Sequence, residues 1–322
     1  MADTEKKEQS KTEYLQEIAQ ELLDDETWEL PKDARFFLLP GFEWDMLYLE
    51  LAGGSTLIII GEKITGSIPS VKQAIEERNE ELIRERALAQ AAAGAAYIDC
   101  APSTVPELEY DACVWLINII QDATDVPISI DSPDPLLLKR IIEEGHLKRP
   151  GMVNSVNEEG TKCETLFPLI AGTDWNVIGL TCDKQGIPMQ PEKKLEIAKS
   201  IIDKADHYGV ALSNLHIDPC VMALATAPSS MEDFAWCIRA IHEYAPEVKV
   251  TGALSNVSFN MPARKYVNAG CMNLAVNAGL DSAIMDPCSS FMMGTLYAAE
   301  ALAQKDKGGR KYNRAYRKQL FK

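Results

Sequence analysis

One unit recurs without a break from residue 56 onward: a short β-branched run followed by an amphipathic segment of helical period. The runs at 56–61, 97–101, 127–131, 151–156, 176–182, 215–221, 249–256 and 282–286 read as strands. Between them lie segments of helical period such as 70–93 and 191–208, the latter with Pro191 placed for a first helical turn. Strands that alternate with helices pair in parallel through right-handed crossovers. Eight such units in about 250 residues predict an α/β fold of the (β/α)8 TIM-barrel kind rather than an open doubly wound sheet. No GxGxxG follows any of the strands and no GxxxxGK[ST] occurs, which removes the main support for a nucleotide-binding loop.

The flanks differ from the barrel. Residues 1–55 form an N-terminal extension, polar at first and then helical, with Tyr14, Leu15, Ile18, Leu22 and Leu23 at helical spacing after an N-cap at Thr12. The aromatic stretch 36–44, containing Phe36, Phe37, Phe42 and Trp44, is expected to be buried against the main domain or a second subunit. Residues 56–304 make the barrel. The last segment, 305–322, holds eight basic residues against one acid, so it carries +7 while the remainder carries −23 of the net −16. It is expected to be a solvated basic tail, with contact to an acidic protein partner as the alternative.

With 48 acidic against 32 basic residues, the field repels nucleic acid and anionic lipid. No apolar run approaches the roughly 18 residues of a membrane span, and the charged N-terminus lacks the apolar core of a signal peptide. A cytoplasmic location is expected. The eight cysteines form no CxxC pair and are expected to be reduced thiols.

In such a barrel the chemistry sits where strands end. The runs end in Glu62, Asp99, Asp131, Asn154, Thr181 with Asp183, Asp218, Asn256 and Asp286, a ring of carboxylates and amides. One or two of these are ordinary helix caps. Polar ends on nearly every strand demand a ligand that supplies donors or positive charge, because converging carboxylates repel one another. A divalent metal is disfavoured, since His146, His207 and His242 fall on helices or loops and His216 lies a layer deeper as a packed core residue. Cys100, Cys182, Cys220 and Cys288 lie near strand ends but read as small packed thiols rather than zinc ligands. A flat heterocycle rich in N–H groups fits better. The 2-amino-4-oxopyrimidine ring of a pterin presents adjacent N–H donors that match carboxylate oxygens, and an Asn pairs with a donor and an acceptor on the same ring.

These runs, Ile59-Ile60-Gly61-Glu62-Lys63-Ile64-Thr65-Gly66, Ile130-Asp131-Ser132, Met152-Val153-Asn154-Ser155, Ile178-Gly179-Leu180-Thr181, Ile217-Asp218-Pro219 and Leu254-Ser255-Asn256-Val257-Ser258, resemble in order and spacing the pterin-binding domain of methyltetrahydrofolate:corrinoid methyltransferases. The resemblance implies that Glu62, Asp131, Asn154, Asp218, Asn256 and Arg264 bind the folate, with Asn256 as the catalytic residue at N5. Asp99, Asp183, Ser258, Asn260 and Asp286 would stand behind them. It further implies tetrahydrofolate or 5-methyltetrahydrofolate as substrate, a cobalamin carried on a separate corrinoid protein, no metal held by the chain itself, and a homodimer. Methyl transfer from methylcorrinoid to tetrahydrofolate is the expected direction. The reverse direction, a dihydropteroate synthase and a non-catalytic folate-binding subunit are the alternatives. The sequence departs from some relatives at Lys63, Thr65, Asp183 and Phe259.

Overall fold

A computed structural model describes residues 57–321 of the chain. The helix expected after Thr12 and the aromatic stretch 36–44 lie outside the described residues. Eight strands follow one another: β1 (Ile58–Thr65), β2 (Tyr97–Ala101), β3 (Ile128–Asp131), β4 (Met152–Glu158), β5 (Asn176–Asp183), β6 (Leu215–Asp218), β7 (Lys249–Val250) and β8 (Ser282–Met285). All pair in parallel in the order β7-β6-β5-β4-β3-β2-β1-β8. The ring closes between β7 and β8 through the Ala253–Ile284 bridge and bonds from the Asp281 amide to the Val250 carbonyl (3.0 Å) and from the Ile284 amide to the Gly252 carbonyl (3.1 Å). This is the (β/α)8 barrel expected from the alternation.

Strand alternation divides the apolar residues between two cores. Ile60, Met152 and Ile178, with Tyr97, Leu180 and Ile284, fill the barrel interior. Ile59, Ile98, Ile130, Val153, Val177, Ile217 and Val250 point outward into the larger core beneath the helices. The outer ring comprises α1 (Pro69–Glu77), α2 (Glu80–Ala92), α3 (Pro106–Ala123), α4 (Pro135–Glu143), α5 (Lys162–Ile170), α6 (Pro191–Tyr208), α7 (Ser230–Tyr244), α8 (Arg264–Ala278) and α9 (Ser290–Leu302). The segment 70–93, expected as one helix, is two. Arg78 turns left-handed (φ 56°), and the Asn79 side chain accepts from the Leu82 amide to start α2. A capping Asn competes with helix continuation, and periodicity alone does not register that competition. By contrast α6 begins at Pro191 as expected and stops at Gly209 in the left-handed conformation. None of the described helices is long and apolar enough to cross a membrane.

The C-terminal segment differs from expectation. Instead of a solvated tail it forms a 3-10 turn (Lys307–Gly309) and a helix, α10 (Arg310–Arg317). Asp306 anchors the turn by accepting from the amides of Lys311 (3.0 Å) and Tyr312 (2.9 Å). Phe321 is buried, with its ring 5.6 Å from that of Tyr297 and 5.1 Å from that of Tyr312. It rests on Gly294, where a Cβ would stand 3.0 Å from the ring. Charge counting hid an apolar face made by Tyr312, Ala315 and Phe321. Replacing a buried Phe by Ala removes its transfer energy and leaves a cavity. Phe321→Ala is therefore expected to destabilise the fold by about 3 kcal/mol in denaturant unfolding; an unchanged midpoint would show that the segment contributes nothing.

Candidate functional site

The C-terminal ends of the strands open into a cavity of about 670 Å³. Its walls include Asp131, Asn154, Asp218 and Asn256, the four residues expected to hold or act on the ring. Asp131 ends β3, and the sheet register sets it directly beside Asn154 on β4. Asp218 ends β6 and accepts from the Cys220 amide (2.7 Å), leaving lone pairs for a ligand. Asn256 is not a strand end. The run 249–256 forms only two strand residues before the chain winds into a 3-10 turn (Leu254–Ser258) that carries Asn256 to the mouth. Gly252 permits this path, because a Cβ there would meet the Phe234 ring at 2.7 Å.

Arg264 and Ser258 brace that turn. Arg264 Nε donates to Ser258 Oγ (2.9 Å) and its Nη2 to the Ser255 carbonyl (2.7 Å), while Ser258 Oγ donates to Asn268 (2.6 Å). Arg264 also lines an adjoining cavity of about 340 Å³ with Glu62 and Asp286. There Lys63 pairs with Asp286 at 2.9 Å, joining β1 to the end of β8. Two of the supporting residues fall elsewhere. Asp183 caps its own turn by accepting from the Gln185 amide (2.8 Å), and Asn260 sits exposed in a left-handed conformation (φ 62°); neither lines a cavity. Asp183 ends β5 but its side chain is taken up by that turn, so being at a strand end did not make it part of the site. Asp99 lies beneath the cavity at 4% exposure, accepting from Ser129 Oγ (2.8 Å) and Asn154 Nδ2 (3.3 Å).

Burial governs the electrostatics. It raises Asp99 to about 6 and Asp218 to about 6 despite the hydrogen bonds that favour their ionised forms. Asp131 is raised well above the usual carboxylate range by burial first and then by the charge of Asp99, to which it is hydrogen-bonded. Glu62 rises to about 7 through burial and the charges of Asp286 and Asp99, partly offset by Lys63 and Arg264. His216 bonds Ser282 (2.7 Å) and Asn176 (3.2 Å) on the barrel axis, and burial lowers it to about 3, so it is a neutral core residue as expected. Burial raises the Cys163 thiol to about 12 and pushes Cys220 up as well, which disfavours the thiolate at both, while Cys288 is exposed. Among the described residues no group of three or more His, Cys, Asp or Glu is placed to hold a metal.

The cavity has members that strand ends do not reveal. Lys162 opens α5 and pairs with Glu159 (3.1 Å) in the loop after β4, and both line the wall with Asn157. Phe259, 57% exposed, forms part of the rim with Ile187. Lys162 gave no strand-end signal because it stands at the start of a helix, and Phe259 stood out in the sequence only as a departure from some relatives.

A barrel whose mouth brings Asp131, Asn154 and Asp218 to one cavity is the arrangement expected of a pterin-binding enzyme. The family model described as pterin binding enzyme matches residues 64–286, and the chain belongs to that family. The chain is 46% identical to the methylcorrinoid:tetrahydrofolate methyltransferase of Eubacterium limosum over 81% of its own length and 96% of that protein. It is therefore a member of the methyltransferase branch of these barrels. The methionine synthase of Mycobacterium tuberculosis is 35% identical over 53% of this chain but only 15% of its own length. Among solved structures, a dihydropteroate synthase from Xanthomonas albilineans bound to 7,8-dihydropteroate superposes with a TM-score of 0.57 over 76% of this chain and 92% of that one, at 16% identity. That likeness concerns the fold alone.

The raised carboxyls carry a cost. Asp218 titrates near 3.8 when unfolded and near 6 when folded, so the fold holds its proton more tightly. The stability this contributes is complete at acid pH and is lost as pH rises through about 6. Asp218→Asn is expected to stabilise the ligand-free protein at pH 8 by on the order of 3 kcal/mol while weakening pterin binding. Thermal unfolding and titration calorimetry check the two effects, and wild-type pterin affinity is expected to fall as pH drops below about 6.

Proposed function

We propose that this enzyme moves a methyl group from the cobalt of a methylated corrinoid, carried on a separate protein, to N5 of tetrahydrofolate. The observation that carries this reading is the placement of Asp131, Asn154, Asp218 and the Asn256 turn around one cavity. The three floor residues hold the N–H edge of the pterin, which leaves the opposite part of the ring facing the rim. The corrinoid supplies a methyl group on cobalt that leaves without its bonding electrons. The N5 lone pair forms the new C–N bond as the Co–C bond breaks, both electrons of that bond stay on cobalt, and the extra proton on N5 passes to solvent.

Asn256 acts on N5. Its amide oxygen accepts from N5–H and orients the lone pair, and its amide N–H₂ donates when N5 is the leaving atom, so one side chain serves either direction. Its turn is held by Arg264 and Ser258, which makes those two positioning residues. A preorganised dipole at a centre of changing charge contributes roughly 2.7–4 kcal/mol where one such donor has been removed from an oxyanion hole. The exposed rim residues Ile187 and Phe259 suit the approach of the corrinoid protein. The eight free thiols accord with the reducing interior of a cell, and a homodimer completes the proposed working form.

The high identity to a protein named for the methylcorrinoid-to-folate direction supports that direction, and incubation with methylcob(III)alamin plus tetrahydrofolate against the reverse pair tests it. The faster reaction should be the former. Asn256→Ala is expected to slow single-turnover transfer by about 10²-fold, with pterin affinity changing only a few-fold. Equal single-turnover rates would remove Asn256 from the chemistry.

A further inference from the structure

Asp99 touches no cavity, yet it is the acceptor around which the pterin floor is organised. It lies on β2 opposite Ser129 in the sheet register, and its Oδ1 accepts from both Ser129 Oγ (2.8 Å) and Asn154 Nδ2 (3.3 Å). Asp131, two residues beyond Ser129 toward the mouth, is hydrogen-bonded to the same carboxylate. A carboxylate accepts and does not donate, so only one face of the Asn154 amide is compatible with it. A flipped amide would set two oxygens against each other inside the barrel.

We propose that Asp99 is a positioning residue that locks the Asn154 amide with its nitrogen inward and its oxygen toward the cavity, so that Asp131, Asn154 and Asp218 present an acceptor-only floor selective for reduced pterins. This rests on the pterin reading and deepens it. The edge of a tetrahydropterin carries N8–H on the far side of N1 from the 2-amino group, whereas the fully oxidised ring has a bare N8 lone pair at that position. An acceptor facing N8–H gains a hydrogen bond, and the same acceptor facing a lone pair is repelled and left unpaired. Sites built to bond a ligand N–H reject the analogue that lacks it because their buried polar groups lose their partners. The discrimination would therefore come from a residue that never contacts the ligand.

The test compares tetrahydrofolate with folic acid, which lacks N8–H, by anaerobic titration calorimetry on the full chain. Wild-type protein is expected to bind tetrahydrofolate more tightly by at least about tenfold. Asp99→Asn frees the amide, and the preference should fall to within about threefold. The exchange Asp99→Asn with Asn154→Asp rebuilds the same bond with donor and acceptor reversed in sequence, still leaving an oxygen for the cavity. It retains one carboxylate and one amide, and it should restore the preference. A purely structural role for Asp99 predicts equal losses for both ligands and no rescue. Equal binding of the two ligands by wild-type protein, or an exchange variant without the preference, overturns the inference and leaves the pterin reading standing. Binding of neither ligand overturns both.

Discussion

Carboxyl groups crowded into a cavity lose water and repel one another, and the upper half of this barrel is arranged around that cost. Asp99, Asp131, Asp218 and Glu62 are all held above their ordinary titration range by burial. The molecule offsets part of the penalty locally. Ser129 and Asn154 donate to Asp99, the Cys220 amide donates to Asp218, and the Lys63–Asp286 pair lies beside Glu62. What remains uncompensated is capacity to accept hydrogen bonds, and a ligand with several adjacent N–H groups supplies what is lacking. In the proposed function, the same groups that weaken the empty fold provide the recognition surface.

The scaffold holds these side chains by dividing its labour along the barrel axis. An apolar plug around Ile60, Met152 and Ile178 excludes water from the lower interior, and His216 is packed there in neutral form. Above the plug, Asp131 and Asn154 follow the pleat on adjacent strands, so their separation is set by sheet geometry rather than by loop conformation. Asn256 is treated differently. It rides on a 3-10 turn fastened by Arg264 and Ser258, beyond a strand cut short at Val250. In the proposed function, recognition is thereby built on strands and the reacting contact on a braced turn.

Periodicity carried most of the fold. Alternating apolar runs and helical segments located all eight strands, and the polar residues toward their ends pointed to Asp131, Asn154 and Asp218, although Asn154 is the third residue of β4 and not its end. The failures have specific causes. The 70–93 segment breaks at Asn79 because capping outcompetes propagation. Residues 305–321 pack rather than float because Phe321 finds Tyr297 and Tyr312. Asp183 was named for its position at the end of β5, yet its side chain closes a local turn. Lys162 was missed because it enters the cavity from the start of a helix.

By itself, the order of residues determined the repeating unit, the number of strands and the polar character of their ends, since these depend on local period and on residue type. Only the tertiary structure decided which ends share a cavity, which face of the Asn154 amide is presented, and which carboxyls are held above their ordinary titration range. Those properties arise from desolvation and from hydrogen bonds between strands distant in sequence, such as Asp99 to Asn154, and no local pattern encodes them.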